Sequence, residues 1–140
     1  MNILLICTGN TCRSAMAEGI LKCLAEGRSD IYISSAGIST TDGLQPTANA
    51  IHAADEKEAD ISMHQSRQLS AAMMDSADVV LCMTAYHKEV LYKFYPHYKE
   101  KIRMLGEKDI EDPFGGDIDI YRKCASDLMY LLEEYLEEIE

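Results

Sequence analysis

One cysteine and one arginine near the N-terminus stand where they could carry out covalent chemistry on an anion. Cys7 ends the apolar run Ile3-Leu4-Leu5-Ile6, and Arg13 follows after Thr8-Gly9-Asn10-Thr11-Cys12. A thiolate is a strong nucleophile. A guanidinium offers a planar fork that meets two oxygens of a phosphoryl group at once, which the point charge of a lysine does not. Between them, Gly9 and Asn10 tolerate left-handed backbone angles, so successive N–H groups can turn inward as a nest. The order of residue types predicts a cradle for a phosphate-sized anion. Cys7 would be its floor, held as thiolate by a helix N-terminus, by Arg13 and by a hydrogen bond from Ser14. The competing reading of Cys7 is a small buried hydrophobe at a strand end.

The elements that must position this stretch follow from hydrophobic patterning. Residues 3–7 read as a buried strand. Met16, Ile20, Cys23 and Leu24 recur at helical spacing up to a break at Gly27, with Cys23 assigned to the core. A second strand is expected over residues 31–34. Residues 35–45 read as a loop on the same side of the sheet as the cradle. Pro46 suits the first turn of a helix continuing through Ala50, Ile51 and Ala54 to Glu58. Ser70 can cap a short helix with Ala72, Met73 and Met74. The run Val79-Val80-Leu81-Cys82-Met83 lacks alternation and predicts a central strand buried on both faces.

Thr84 can cap a helix with Tyr86, Val90 and Phe94 on one side, stopped by Pro96, and residues 101–105 read as the fourth strand. A loop over residues 106–116 then carries Asp112-Pro113. Asp117 caps a last helix whose core positions are Ile118, Tyr121, Ala125, Leu128, Leu132, Tyr135 and Ile139, with Cys124 beside them. Its Glu-rich end opposes the helix dipole and is expected to fray. The alternation of strand and helix predicts an α/β fold, a four-stranded parallel sheet with helices on both faces. Ligands bind such sheets outside the carboxyl ends of the strands, at a switch point in strand order, where the loop after the first strand belongs.

A chain of 140 residues is the size of one ordinary domain, so residues 1–140 are read as a single domain. The net charge of -11 argues against nucleic acid and anionic membranes as partners, so any phosphate binding must be a local affair of backbone dipoles and one or two arginines. The apolar run before Cys7 is too short for a signal-peptide core or a membrane span, which predicts a cytoplasmic address. Five cysteines at irregular spacing suggest neither a disulfide framework nor a zinc site. His52, His64, His87 and His97 are scattered and read as surface or packing residues; no metal or cofactor is expected. Asp112 before Pro113 reads locally as either a turn residue or a proton donor on a loop able to close.

The stretch Cys7 to Ser14 resembles the signature loop of the low-molecular-weight protein tyrosine phosphatases. Asp112-Pro113, Ser35-Ala36-Gly37 and His64-Gln65-Ser66-Arg67-Gln68-Leu69 extend the likeness over nearly the whole chain. The resemblance implies a flavodoxin-like fold and no metal. It makes Cys7 the nucleophile and Arg13 the phosphate ligand, with Asp112 as the acid that protonates the leaving group. Thr8, Gly9, Asn10, Thr11, Cys12, Ser14 and Phe114 would line the substrate. It also leaves Cys12 two readings, a reversible disulfide partner for Cys7 or a helix-start residue with no redox role.

Many tyrosine phosphatases of the family carry Ile where this chain has Thr11, and bulky aromatics where it has Phe114-Gly115. The combination is similar to the bacterial protein-arginine-phosphatase branch, which makes phosphoarginine on proteins the expected substrate and phosphotyrosine the alternative. Glu107, Asp109, Glu111 and Asp117 would put negative charge near the mouth, or form a merely solvated acidic loop. Two further classes rank lower. An arsenate reductase would use Cys82 but lacks a resolving thiol between Cys82 and Cys124, and a non-catalytic phosphoprotein-binding module would not need Cys7, Arg13 and Asp112 together.

Overall fold

Strand β1 (Asn2–Cys7) is buried along nearly its whole length because it lies inside the sheet with helices on either side. The computed structural model describes residues 1–139 and contains four parallel strands in the order β2-β1-β3-β4. Successive side chains of a strand point to opposite faces. Ile3, Leu5 and Cys7 therefore join one apolar layer, with helices α1 (Arg13–Leu24), α2 (Ala48–Asp55) and α5 (Ile118–Ile139). Leu4 and Ile6 join the other, with Met74 of α3 (Ala71–Ser76) and Leu91 of α4 (Ala85–Phe94). The chain leaves β1 to one side for β2 (Tyr32–Gly37) and to the other for β3 (Val79–Cys82), so the end of β1 is the switch point. The last strand, β4 (Ile102–Met104), is a short edge reached through a 3-10 turn at Pro96–Lys101.

Several boundaries move for identifiable reasons. β2 runs on to Gly37 rather than ending at residue 34, because Gly37 pairs in register with Cys7. The helix expected from Pro46 starts at Ala48. Thr47 caps it by accepting from Ala50 N–H at 3.3 Å, leaving Pro46 outside, and it ends at Asp55 rather than Glu58. Cys23 is exposed, its Sγ 3.2 Å from the Glu58 carbonyl oxygen, because the buried stripe of α1 passes through Met16, Ala17, Ile20 and Leu21. On α4 the side carrying Tyr86 and Phe94 is turned outward, and His87 and Leu91 form the buried side. The caps expected at Ser70 and Thr84 are present, each side chain accepting from the backbone three residues on. α5 buries Tyr121, Cys124, Ala125, Leu128, Leu132 and Tyr135 and is helical to Ile139; Glu140, at the end expected to fray, lies outside the described residues. Among the described residues no helix is long and apolar enough to cross a membrane.

Candidate active site

The loop between β1 and α1 is held from outside by its carbonyl groups. Ile38 and Ser39, just past β2, donate to the carbonyls of Cys7 and Thr8, each at 3.0 Å; Thr47 N–H donates to that of Thr11 at 3.2 Å and Met16 N–H to that of Cys12 at 2.9 Å. His64 Nε2 donates to the Asn10 carbonyl at 2.9 Å, so that nitrogen carries the ring proton. With these peptide oxygens engaged outward, the N–H side of the loop is left toward the sulfur. Asn10 and Ser14 N–H donate to Cys7 Sγ at 3.3 and 3.4 Å. Asn10 sits at φ 57°, in the left-handed region predicted for it.

The close approach of loop and sheet explains Gly37. A Cβ there would lie 2.6 Å from the Thr8 carbonyl oxygen and 3.1 Å from Asn10 N, so no larger residue fits without moving the loop.

A buried polar network fixes the direction of the remaining bond to sulfur. Both Nδ2 protons of Asn10 are used, on Ser14 Oγ at 2.7 Å and Ser35 Oγ at 2.9 Å, while its Oδ1 accepts from Arg67 N–H at 3.0 Å. The Ser35 hydroxyl in turn donates to Glu18 Oε1. Since Ser14 Oγ already accepts, its proton is free for Cys7 Sγ, 2.9 Å away. Two backbone N–H groups and the Ser14 hydroxyl thus converge on one buried sulfur.

Arg13 lies beside this floor with its side chain 5% exposed. Nη1 donates to the Ile110 carbonyl at 2.9 Å, and Nη2 stands 3.6 Å from Asp112 Oδ2, an ion pair that joins the two regions singled out in the sequence. Arg13 Nε is buried with no hydrogen-bond partner among the described residues. Asp112 is 52% exposed and accepts from Phe114 N–H at 3.1 Å, a local turn at the mouth. Phe114 itself is 71% exposed and stands at the rim rather than in the cradle.

The other residues singled out in the sequence divide. Thr8, Gly9 and Thr11 are half-buried on the loop, and Cys12 is buried with its Sγ 3.5 Å from Tyr121 OH and 3.6 Å from Thr47 Oγ1. Burial pushes the Tyr121 hydroxyl up to about 12, so it stays protonated beside that sulfur. None of the five cysteines is paired in a disulfide. Cys82 belongs to the opposite apolar layer from Cys7, and burial raises its thiol to about 11. Two of the four acidic residues accept at helix N-termini, Asp109 from Ala85 N–H of α4 at 2.8 Å and Asp117, at the start of α5, from Ile120 N–H at 3.1 Å. Glu107 and Glu111, with Asp109, line a cleft of about 850 Å³ between their loop and α5.

Sequence reasoning undervalued two histidines. His64 supports the loop from below, and its place in the His64–Leu69 stretch was the available signal. His87 bonds Thr8 across 79 positions of chain, and nothing local to it marks that contact.

A family model described as low molecular weight phosphotyrosine protein phosphatase matches residues 2–140. The protein-arginine-phosphatase of Bacillus subtilis (strain 168) is 37% identical over 147 residues, spanning 100% of this chain and 97% of that protein. The low molecular weight protein-tyrosine-phosphatase PtpB of Staphylococcus haemolyticus (strain JCSC1435) is 36% identical over 137 residues, spanning 94% and 95%. Among solved structures, the YwlE arginine phosphatase with a phosphorylated active-site serine superposes with a TM-score of 0.94 at 36% identity, covering 99% of this chain and 95% of that one. With its signature loop, its sheet order and this agreement along its whole length, the chain belongs to the low molecular weight phosphotyrosine protein phosphatase family.

Proposed function

We propose that the protein is a cysteine-dependent phosphatase that removes phosphoryl groups from protein side chains, with phosphoarginine as its preferred substrate and phosphotyrosine as the alternative. The carrying observation is the pairing of a sulfur that receives three hydrogen bonds with a buried guanidinium whose Nε has no partner among the described residues. A buried donor left unmatched is costly, and a phosphoryl oxygen supplies the match.

In the first step the Cys7 thiolate attacks phosphorus in line. The bond to the leaving nitrogen or oxygen breaks, and Asp112 delivers its proton to that atom. Arg13 and the loop amides meet the charge spread over the equatorial oxygens. In the second step Asp112, now a carboxylate, takes a proton from water. The water oxygen attacks phosphocysteine, the sulfur–phosphorus bond breaks, and inorganic phosphate and the thiolate are released. Thr8, Gly9, Asn10, Thr11, Cys12 and Ser14 contribute the cradle, with Phe114 at its rim.

Overall identity does not separate the two substrates, since the arginine and tyrosine phosphatase relatives stand at 37% and 36%. The preference rests on Thr11, half-buried in the loop, where a small hydroxylated residue leaves room for a planar guanidinium that a branched aliphatic chain would crowd. Residues 1–140 are read as one phosphatase domain acting on phosphorylated proteins in the cytoplasm. The net charge of -11 speaks against nucleic acid or an anionic membrane as partner. Matched phosphoarginine and phosphotyrosine peptides test the substrate. Faster turnover of phosphoarginine, shifted toward phosphotyrosine by Thr11→Ile, supports the preference; faster phosphotyrosine turnover with a ratio that Thr11→Ile leaves unmoved contradicts it.

A further inference from the structure

His87 is a buried polar group that the proposed chemistry does not use. It is 1% exposed, on the inward side of α4, and its Nε2 lies 2.9 Å from Thr8 Oγ1 in the anion loop. Its Nδ1 is buried with no partner among the described residues. Desolvation, followed by the Arg13 charge, pushes the ring down to about 4 against the weaker opposing pull of Asp109 and Asp112, so it is neutral at pH 7 and carries one N–H.

Two placements of that proton are possible, and they are not equivalent. On Nδ1 it would be a buried donor without an acceptor, which folded proteins avoid more strictly than an unused lone pair. On Nε2 it is donated to Thr8 Oγ1. The second placement has a consequence for Thr8. Its oxygen accepts from the ring, and no other partner of that hydroxyl is found among the described residues. The hydroxyl proton is therefore left to donate, from the residue next to the nucleophile.

We infer that His87 is a positioning residue: by donating Nε2–H to Thr8 Oγ1 it turns the Thr8 hydroxyl into a hydrogen-bond donor toward the phosphoryl oxygens held over Cys7. The inference deepens the phosphatase reading and rests on it. The ring would add one neutral, directional donor to a cradle otherwise made of main-chain amides and a single guanidinium. Thr8 touches the reacting group; His87 acts through it.

The test has two arms. Nitrogen-15 NMR of His87 in the wild-type protein reads the tautomer directly. A proton on Nε2 supports the inference, and a proton on Nδ1 overturns it without any variant having to fold. The second arm compares Thr8→Val, Thr8→Ser, His87→Phe and the Thr8→Val/His87→Phe double variant on a phosphoarginine peptide, with thermal unfolding followed alongside. Thr8→Val and His87→Phe are each expected to lower kcat about tenfold with KM nearly unchanged, and Thr8→Ser, which keeps the hydroxyl, to lose less than Thr8→Val. The double variant should be no slower than either single one, because both remove the same bond. Losses that multiply, or a Thr8→Val enzyme at full speed, overturn the role of His87 while leaving the phosphatase intact. Wild-type protein without turnover overturns the underlying reading instead.

Discussion

Two loops meet at Arg13, and they are built by opposite rules. The Cys7–Ser14 loop is enclosed: its carbonyls are tied to the residues just past β2, to α1, to the cap of α2 and to His64, its one left-handed residue is a buried Asn, and its sulfur is ringed by donors. The loop over residues 106–116 is open. It touches Arg13 through the Ile110 carbonyl and Asp112, and the carboxylate and Phe114 beyond it face solvent. In the proposed mechanism charge stabilisation demands groups already in place when charge develops, which the enclosed loop would provide. Proton delivery must admit substrates and release products, which suits a residue on an exposed loop.

Arg13→Lys breaks the comparison at its hinge. A lysine cannot fork between a phosphoryl group, the Ile110 carbonyl and Asp112, so kcat/KM should fall about 10³-fold, measured on phosphoarginine and phosphotyrosine peptides alike. Acid should next attack the enclosed side. His87 is held neutral down to about pH 4, whereas the unfolded chain takes up that proton near 6.5. The unfolded state therefore binds more protons between those values, and stability falls as pH drops through that window. The loss reaches about 3 kcal/mol and is checked by urea unfolding from pH 7 to 4, with His87→Phe removing that part of the slope.

Asp112→Asn sharpens the contrast from the open side. It should lower kcat about 10²-fold while leaving the thermal midpoint nearly unchanged, because the carboxylate is half in solvent. Two glycines then compare the loops directly. Gly37→Ala drives a Cβ to 2.6 Å from the Thr8 carbonyl oxygen and should cost about 2 kcal/mol in stability as well as activity. Gly115→Ala, at φ 83° with no atom within 4 Å of the added carbon, should cost only about 1 kcal/mol by denaturant titration.

The enclosed loop was legible in the sequence because its logic is local: strand, flexible turn and helix start follow one another within a dozen residues. The inner place of β1 and β3 in the sheet was legible because unalternating apolar runs mark strands covered on both faces. What escaped was set by tertiary contact. Cys23 satisfies helical spacing with its neighbours, yet the buried stripe of α1 passes it by. Tyr86 and Phe94 look like core by type, yet α4 buries a histidine. The roles of His87 at Thr8, Tyr121 at Cys12 and Gly37 at the loop backbone each join distant segments and leave no local trace.

The most direct measurement is mass spectrometry of the Asp112→Asn protein, acid-quenched within one turnover of a phosphoarginine peptide. A phosphoryl group on Cys7, absent when Cys7 is replaced by alanine, is the predicted result. A quenched enzyme that has released phosphate without any phosphorylated cysteine, or a Cys7→Ala protein that still turns over at the wild-type rate, would contradict the account at its base.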